Sequence, residues 1–219
     1  MANFTSMEFI NFLLRWGHLL FGITWIGLLY YFNFIQGGYF KQASPEGLSD
    51  AKAKLAPSAL WWFRWGAMFT FITGVVLLLG VQKAGVMNDY IAAGVLMGTL
   101  MFLNVWLIIW PNQKIALGIV EGGDAPTAGA KALLASRTNT LFSAPMAYCM
   151  LASPHLGYTN DSVLSAAGGG VGLYAAFALI LALEVNAVVG KQGPMTTVKG
   201  VIHSSLGLTV VIVLLLKLL

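Results

Sequence analysis

The chain has 219 residues, 58% of them hydrophobic and 9% charged, with a mean hydropathy of +0.79. A soluble domain carries about 25% charged residues, so twelve Lys/Arg and eight Asp/Glu cannot cover a water-facing surface. That excludes an ordinary cytosolic enzyme, a disordered chain and a nucleic-acid module, and it assigns the net charge of +4 to the basic loops of a membrane protein. The single cysteine, Cys149, rules out a disulfide framework, a CxxC metal knuckle and a CxxCH haem attachment within these residues.

A bilayer core of about 30 Å takes about 20 apolar residues in a helix. On that measure the sequence predicts an all-α polytopic integral membrane bundle, a single transmembrane domain over 1–219 with about six spans. The spans fall at 9–35, 60–82, 90–110, 131–154, 162–188 and 198–218. The first has neither a basic leader nor a small-residue cleavage site and reads as a retained helix. The longest connection, QGGYFKQASPEGLSDAKAKLAPSA, reads as a polar loop with room for a short surface helix. In the third span, WPNQK at 110–114 reads as a helix exit, with Trp110 as the anchor and Pro111 as the breaker. GGGVG at 168–172 reads as close helix packing or a bend, since no Lys-Ser/Thr follows to make a phosphate loop.

With six spans the connections alternate sides. Lys41, Lys52, Lys54, Arg64, Lys114, Lys131, Lys191 and Lys199 fall on one side, against Lys83 and Lys217 on the other. The positive-inside rule then predicts lysine-rich loops in the cytoplasm and both termini on the periplasmic side.

Ionisable groups inside spans are costly and usually face the bundle interior, so each is a functional candidate. Arg64, Arg137, Glu184 and His203 lie toward the lysine-rich ends, and Arg15, His18 and His155 toward the other ends. Each also has a structural reading. Arg64 follows Trp61 and Trp62 and suits a snorkelling arginine in an aromatic belt. Arg137 and Glu184 suit an ion pair between the fourth and fifth spans. His203, before Ser204 and Ser205, suits a packing histidine, and His155, after Pro154, a solvated one. Arg137 and His155 are eighteen residues apart, five helical turns, and share a face unless Pro145 and Pro154 bend the helix.

In RWGHLLFGITWIG, Arg15, His18, Gly22 and Trp25 share one helical face. An imidazole beside glycine leaves room for a flat group, and neutral imidazole is the usual axial haem ligand. His18 and His155 are therefore the candidate cofactor residues for a haem b, with His18 as the metal ligand if haem binds. The competing reading is that Gly17, Gly22 and Gly27 serve close helix packing. Asn104, Asn139 and Asn186 read as interhelical hydrogen-bonders, Cys149 as an inert buried thiol, and the nine Met as core filler rather than a copper cluster.

Four stretches carry a family resemblance: RWGHLLFGITWIGLLYYFNF at 15–34, LWWFRWGAMFTFITG at 60–74, NVWLIIWPNQKIALG at 104–118 and SRTNTLFSAPMAYCMLASPH at 136–155. Together they resemble the membrane domain of the PuuD-type urate oxidases, bacterial membrane urate dehydrogenases in which a multi-span domain precedes a periplasmic cytochrome c domain. The resemblance runs to about residue 190. It implies a protein of the bacterial inner membrane that oxidises urate. Because the 219 residues hold no CxxCH, it also implies a separate cytochrome c as electron acceptor. On this reading Arg64, Arg137 and Trp62 hold the planar urate anion, since arginine offers bidentate donors and stacks on rings. His203 and Glu184 are then the catalytic proton acceptors. Two alternatives stand beside it: an accessory subunit of a larger respiratory or photosynthetic complex, and a haem-b electron carrier.

Overall fold

The computed structural model describes residues 6–156 and 170–219, and every structural statement below concerns those residues. Six long helices make up the chain: α1 Met7–Gln42, α2 Pro45–Lys83, α3 Asp89–Ala116, α4 Ala125–Leu156, α5 Val171–Val189 and α6 Val198–Leu218. Five of them, all but α4, are long and apolar enough to cross a membrane. This is a multi-pass, all-helical membrane bundle.

The exception is the centre of the molecule. α4 has 32 residues, about 48 Å at 1.5 Å per residue, so it does not lack length. It lacks apolarity, because Ser136, Arg137, Thr138, Asn139, Thr140 and Ser143 interrupt it, and all six are buried. The whole run from Leu134 to Ser143 is buried. α1, α3, α5 and α6 pack round α4, while α2 lies along α1. A helix enclosed by its neighbours does not need an apolar surface; it needs partners for its polar groups.

α1 and α2 meet along most of their length at a backbone contact. A Cβ on Gly66 would lie 3.2 Å from the Trp25 amide nitrogen and 3.5 Å from the Phe21 carbonyl. The glycine that permits the approach is therefore on α2. Of the three expected on α1, Gly22 merely touches the Thr70 methyl and Gly27 has nothing within 4 Å. α2 meets α3 through aromatic rungs: Phe71 stacks on Phe102 at 4.1 Å, and Trp65 meets Trp106 edge-on at 6.0 Å. Asn88 caps the start of α3 by accepting from Ile91 N, and its amide donates to the Ser153 carbonyl at 3.1 Å, tying that start to the end of α4.

Two sequence expectations need correction. The stretch at 36–59 is not a loop: α1 and α2 run on as helix, 36 and 39 residues long, and turn only at Ala43–Ser44. Ser44 caps the second arm by accepting from Gly47 N at 3.1 Å, and Pro45 sits in its first turn, where its missing N–H costs nothing. At about 54 and 58 Å these helices exceed a 30 Å hydrocarbon core, so the hairpin projects beyond it. Nor does WPNQK end a helix. The six residues Asn104–Ile109 adopt π-helix, and α-helix resumes from Trp110 to Ala116. The wider π turn makes room for the Pro111 ring that would otherwise clash with the preceding turn.

Pro145 and Pro154 lie inside α4 without ending it. Pro145 cannot donate to the Leu141 carbonyl, and Ser205 Oγ of α6 takes over that role at 2.8 Å. Of GGGVG, Gly172 is the part described in detail: a methyl there would overlap the Leu215 carbonyl, so α5 and α6 touch as expected. Residues 168 and 169, and the stretch from 162 expected in the fifth span, lie outside the described residues.

Because the Gly66 contact is against backbone, it cannot yield by a rotamer change. Gly66→Val overpacks the α1–α2 seam, at a typical cost of about 1–3 kcal/mol. The expected outcome is a melting temperature several degrees lower in detergent, followed by circular dichroism; an unchanged melting curve would show that the seam is not tight.

Candidate functional site

Helix α4 presents different polar residues to different neighbours. On one side Ser136 and Ser143 face α1. Asn33 Nδ2 donates to Ser136 Oγ at 2.8 Å and to the Leu29 carbonyl at 2.9 Å, and the Tyr30 and Ser143 hydroxyls bond at 2.8 Å. On another side Asn139 faces α3. Asn104 Nδ2 donates to Asn139 Oδ1 at 2.9 Å and to Glu184 Oε2 of α5 at 3.1 Å, while Asn139 Nδ2 donates to the Met101 carbonyl at 2.9 Å.

The two asparagines that bond polar side chains of α4 sit in π-helical turns, Asn33 in Tyr31–Gln36 and Asn104 at the head of Asn104–Ile109. In a π turn the hydrogen bonds shift from i+4 to i+5, and backbone carbonyls near the transition change partners. Side-chain amides then bond Leu29 and Met101 at those transitions. Each π turn thus directs an amide at the central helix.

Arg137 is turned about 100° from Ser136, away from the Asn139 side. It is 8% exposed, and neither Nε nor Nη1 has a hydrogen-bond partner. The expected ion pair with Glu184 is not formed; the one salt bridge among the described residues joins Asp50 and Lys54. Helical geometry supplies the reason. Asn139, two residues beyond Arg137, is turned about 200° from it, and it is the Asn139 side that Asn104 and Glu184 occupy. Three further buried atoms on α1 also lack partners: the donor Trp25 Nε1 and the acceptors Asn33 Oδ1 and Gln36 Oε1. Asn33 bonds Ser136, the residue before Arg137, and Gln36 is within one turn of Asn33. Unpartnered donors on α4 thus occur one residue along from this α1–α4 contact, and unpartnered acceptors on α1 occur at it and within a turn of it. An uncompensated buried guanidinium costs several kcal/mol, which marks this α1–α4 interface as the candidate site.

The other expected site residues are dispersed. The Arg64 guanidinium lies 3.4 Å over the Trp110 ring rather than against Trp61 or Trp62, and Trp62 is 58% exposed on the outer face of α2. His203 is exposed on α6, in the turn before buried Ser205. Glu184 is half-buried and bonded only to Asn104. His155 is exposed at the end of α4, and Arg15 is exposed on α1. Asn186 does not bridge helices: it closes the end of α5 by exchanging hydrogen bonds with Lys191.

His18 Nδ1 bonds Thr73 Oγ1 at 3.0 Å, and a Cβ on Gly74 would lie 3.1 Å from His18 Cε1. The imidazole itself fills the space opposite that glycine, so no flat group fits between His18 and α2. With His155 exposed at the end of α4, the two histidines do not form a haem slot. Among the described residues no group of three His, Cys, Asp or Glu could hold a metal ion.

The sequence reading missed Tyr30, Asn33, Gln36, Ser136 and Ser143. The signal was present as polar residues in otherwise apolar helices, in YYFNFIQ and SRTNTLFS. Known proteins bear on the same segment. A family model described as urate oxidase N-terminal matches residues 80–167, which include α3 and α4 with Asn104, Arg137 and Asn139. No curated protein and no solved structure matches the chain.

The amide network generates a stability prediction. Asn104→Ala removes donors from both Asn139 and Glu184. Unmade buried hydrogen bonds cost about 1–3 kcal/mol, and a clear drop in detergent melting temperature is expected. Asn186→Ala, which loosens only a helix end, should shift the midpoint less.

Proposed function

We propose that the protein is a urate-oxidase-like membrane oxidoreductase that binds urate at Arg137 and passes its electrons to a separate periplasmic cytochrome c. The observation that carries this reading is the buried, unpartnered guanidinium of Arg137, within the stretch similar to the urate oxidase N-terminal family. Urate is a planar monoanion at neutral pH with carbonyl acceptors and ring N–H donors. Arg137 supplies paired N–H groups to the anionic edge, and Asn33 Oδ1 and Gln36 Oε1 accept from ring N–H groups. Charge-assisted bidentate contacts of this kind are the stronger hydrogen bonds.

In the oxidation, water adds its oxygen to the purine ring and urate loses two electrons and two protons. Two molecules of ferricytochrome c each take one electron. Glu184, bonded to Asn104 on the side of α4 turned away from Arg137, does not touch this site, so the two protons leave to water; His203 faces outward and takes neither. The lysine-rich ends are assigned to the cytoplasm of the bacterial inner membrane and the termini to the periplasm, following the charge bias across the spans.

Purified protein in nanodiscs, mixed with urate and ferricytochrome c, should reduce two cytochromes per urate, read by absorption. Arg137→Gln should lower the rate at limiting urate by about 10–100-fold, the effect of losing about 1.5–3 kcal/mol of charge-assisted bonding. Its melting temperature should hold or rise, because an unpaired buried charge is removed. No cytochrome reduction by the wild-type protein, together with no urate-dependent change in melting temperature, would overturn the proposal.

A further inference from the structure

A second cationic feature lies apart from Arg137, at the lysine-rich end of the α2–α3 seam. The Arg64 guanidinium stacks 3.4 Å over the Trp110 indole, and Lys114 Nζ sits 5.5 Å from the centroid of the same ring. Stacking uses the π-face of the guanidinium and leaves its N–H edge unused. No protein acceptor hydrogen-bonds that edge, and neither cation has a carboxylate within 4 Å; Glu121 and Asp124, on the connection after α3, form no bridge to them. Arg64 and Lys114 are half-buried, and the exposed Lys131 adds a third charge toward the same end, since Ala116 at the end of α3 packs on Gly129 of α4.

The surroundings indicate what these charges meet. Trp61 and Trp62 are 47% and 58% exposed on α2, the amphipathic rings that settle at headgroup level. One and two turns deeper on α3, Leu107 and Leu103 are also exposed. Cations that share one indole, with no ion pair among the described residues, thus stand directly above an apolar strip. A ligand that suits both parts carries a phosphate and hydrocarbon chains.

We propose that Arg64, Trp110 and Lys114 form a binding site for the phosphate of an anionic phospholipid, whose acyl chains lie along Leu107 and Leu103. The indole fixes the plane of the guanidinium, so its N–H edge is already oriented when the phosphate arrives. Lys114 adds a point charge on the same headgroup, and basic pockets between membrane helices are known to hold such headgroups. This site is independent of Arg137 and of urate.

The test is native mass spectrometry of the full chain released from nanodiscs containing equal phosphatidylglycerol and phosphatidylcholine. The wild-type protein should retain phosphatidylglycerol at least five-fold over phosphatidylcholine. The double variant Arg64→Gln/Lys114→Gln should lose that preference, whereas Lys83→Gln, at the other end of the bundle, should keep it. Circular dichroism melting confirms that each variant is folded; if the double variant does not fold, Lys114→Gln alone should lower the preference at least two-fold. Equal retention of the two lipids by wild type, or an undiminished preference in the folded variants, overturns the proposal. So does displacement of the bound lipid by millimolar inorganic phosphate, which would make this a site for free anions.

Discussion

The structure depends on burying one polar helix inside a bundle of apolar ones. Left alone in hydrocarbon, Ser136, Arg137, Asn139 and Ser143 would each expose a polar group with no water to bond it, at several kcal/mol apiece. The surrounding helices meet that demand. α1 offers Tyr30 and Asn33, α3 offers Asn104, and α6 offers Ser205. Individual interhelical hydrogen bonds in membranes contribute only about 0.6 kcal/mol on average. Their larger effect here is on register, because each amide finds its partner at only one setting of neighbouring helices.

The π turns follow from the same demand. A regular α-helix uses nearly all its backbone groups internally and turns its side chains at a fixed 100° per residue. One inserted residue shifts that pattern, frees carbonyls and redirects an amide. α1 and α3 each do this where they face α4, and a proline follows the turn in α3. Among the polar residues of the α4 centre, Arg137 is the one with a formal charge and no partner, which is why that residue stands out. A bundle selected for stability alone would pair it or replace it.

Much of the architecture was legible in the sequence. The sixth helix falls at its expected bounds, and the second and third contain theirs, because runs of apolar residues register hydrocarbon thickness directly. Asn104 and Asn139 could be picked out as bridging residues since an amide inside an apolar helix has few other uses. Asn186 could not be told apart from them: its composition is the same, and only its position at the end of α5 makes its partner Lys191. The ion pair between Arg137 and Glu184 was plausible by depth and failed by azimuth, a quantity that hydropathy does not carry. The polar connection after the first span read as a loop because lysines and glycines dilute it, yet its residues cap and continue two helices.

The sparse charge and abundant apolar residues alone determined that the chain is a membrane protein of helices, and which of its groups are costly to bury. Composition and spacing suffice for this because solvation acts on each residue separately. Tertiary structure alone decided that α4 stands at the centre, that Arg64 lies on Trp110, that the imidazole of His18 fills its own slot, and that Arg137 is buried without a partner. Those outcomes depend on the rotation of one helix against another. That rotation is set by contacts between residues distant in sequence, which no periodicity along the chain records.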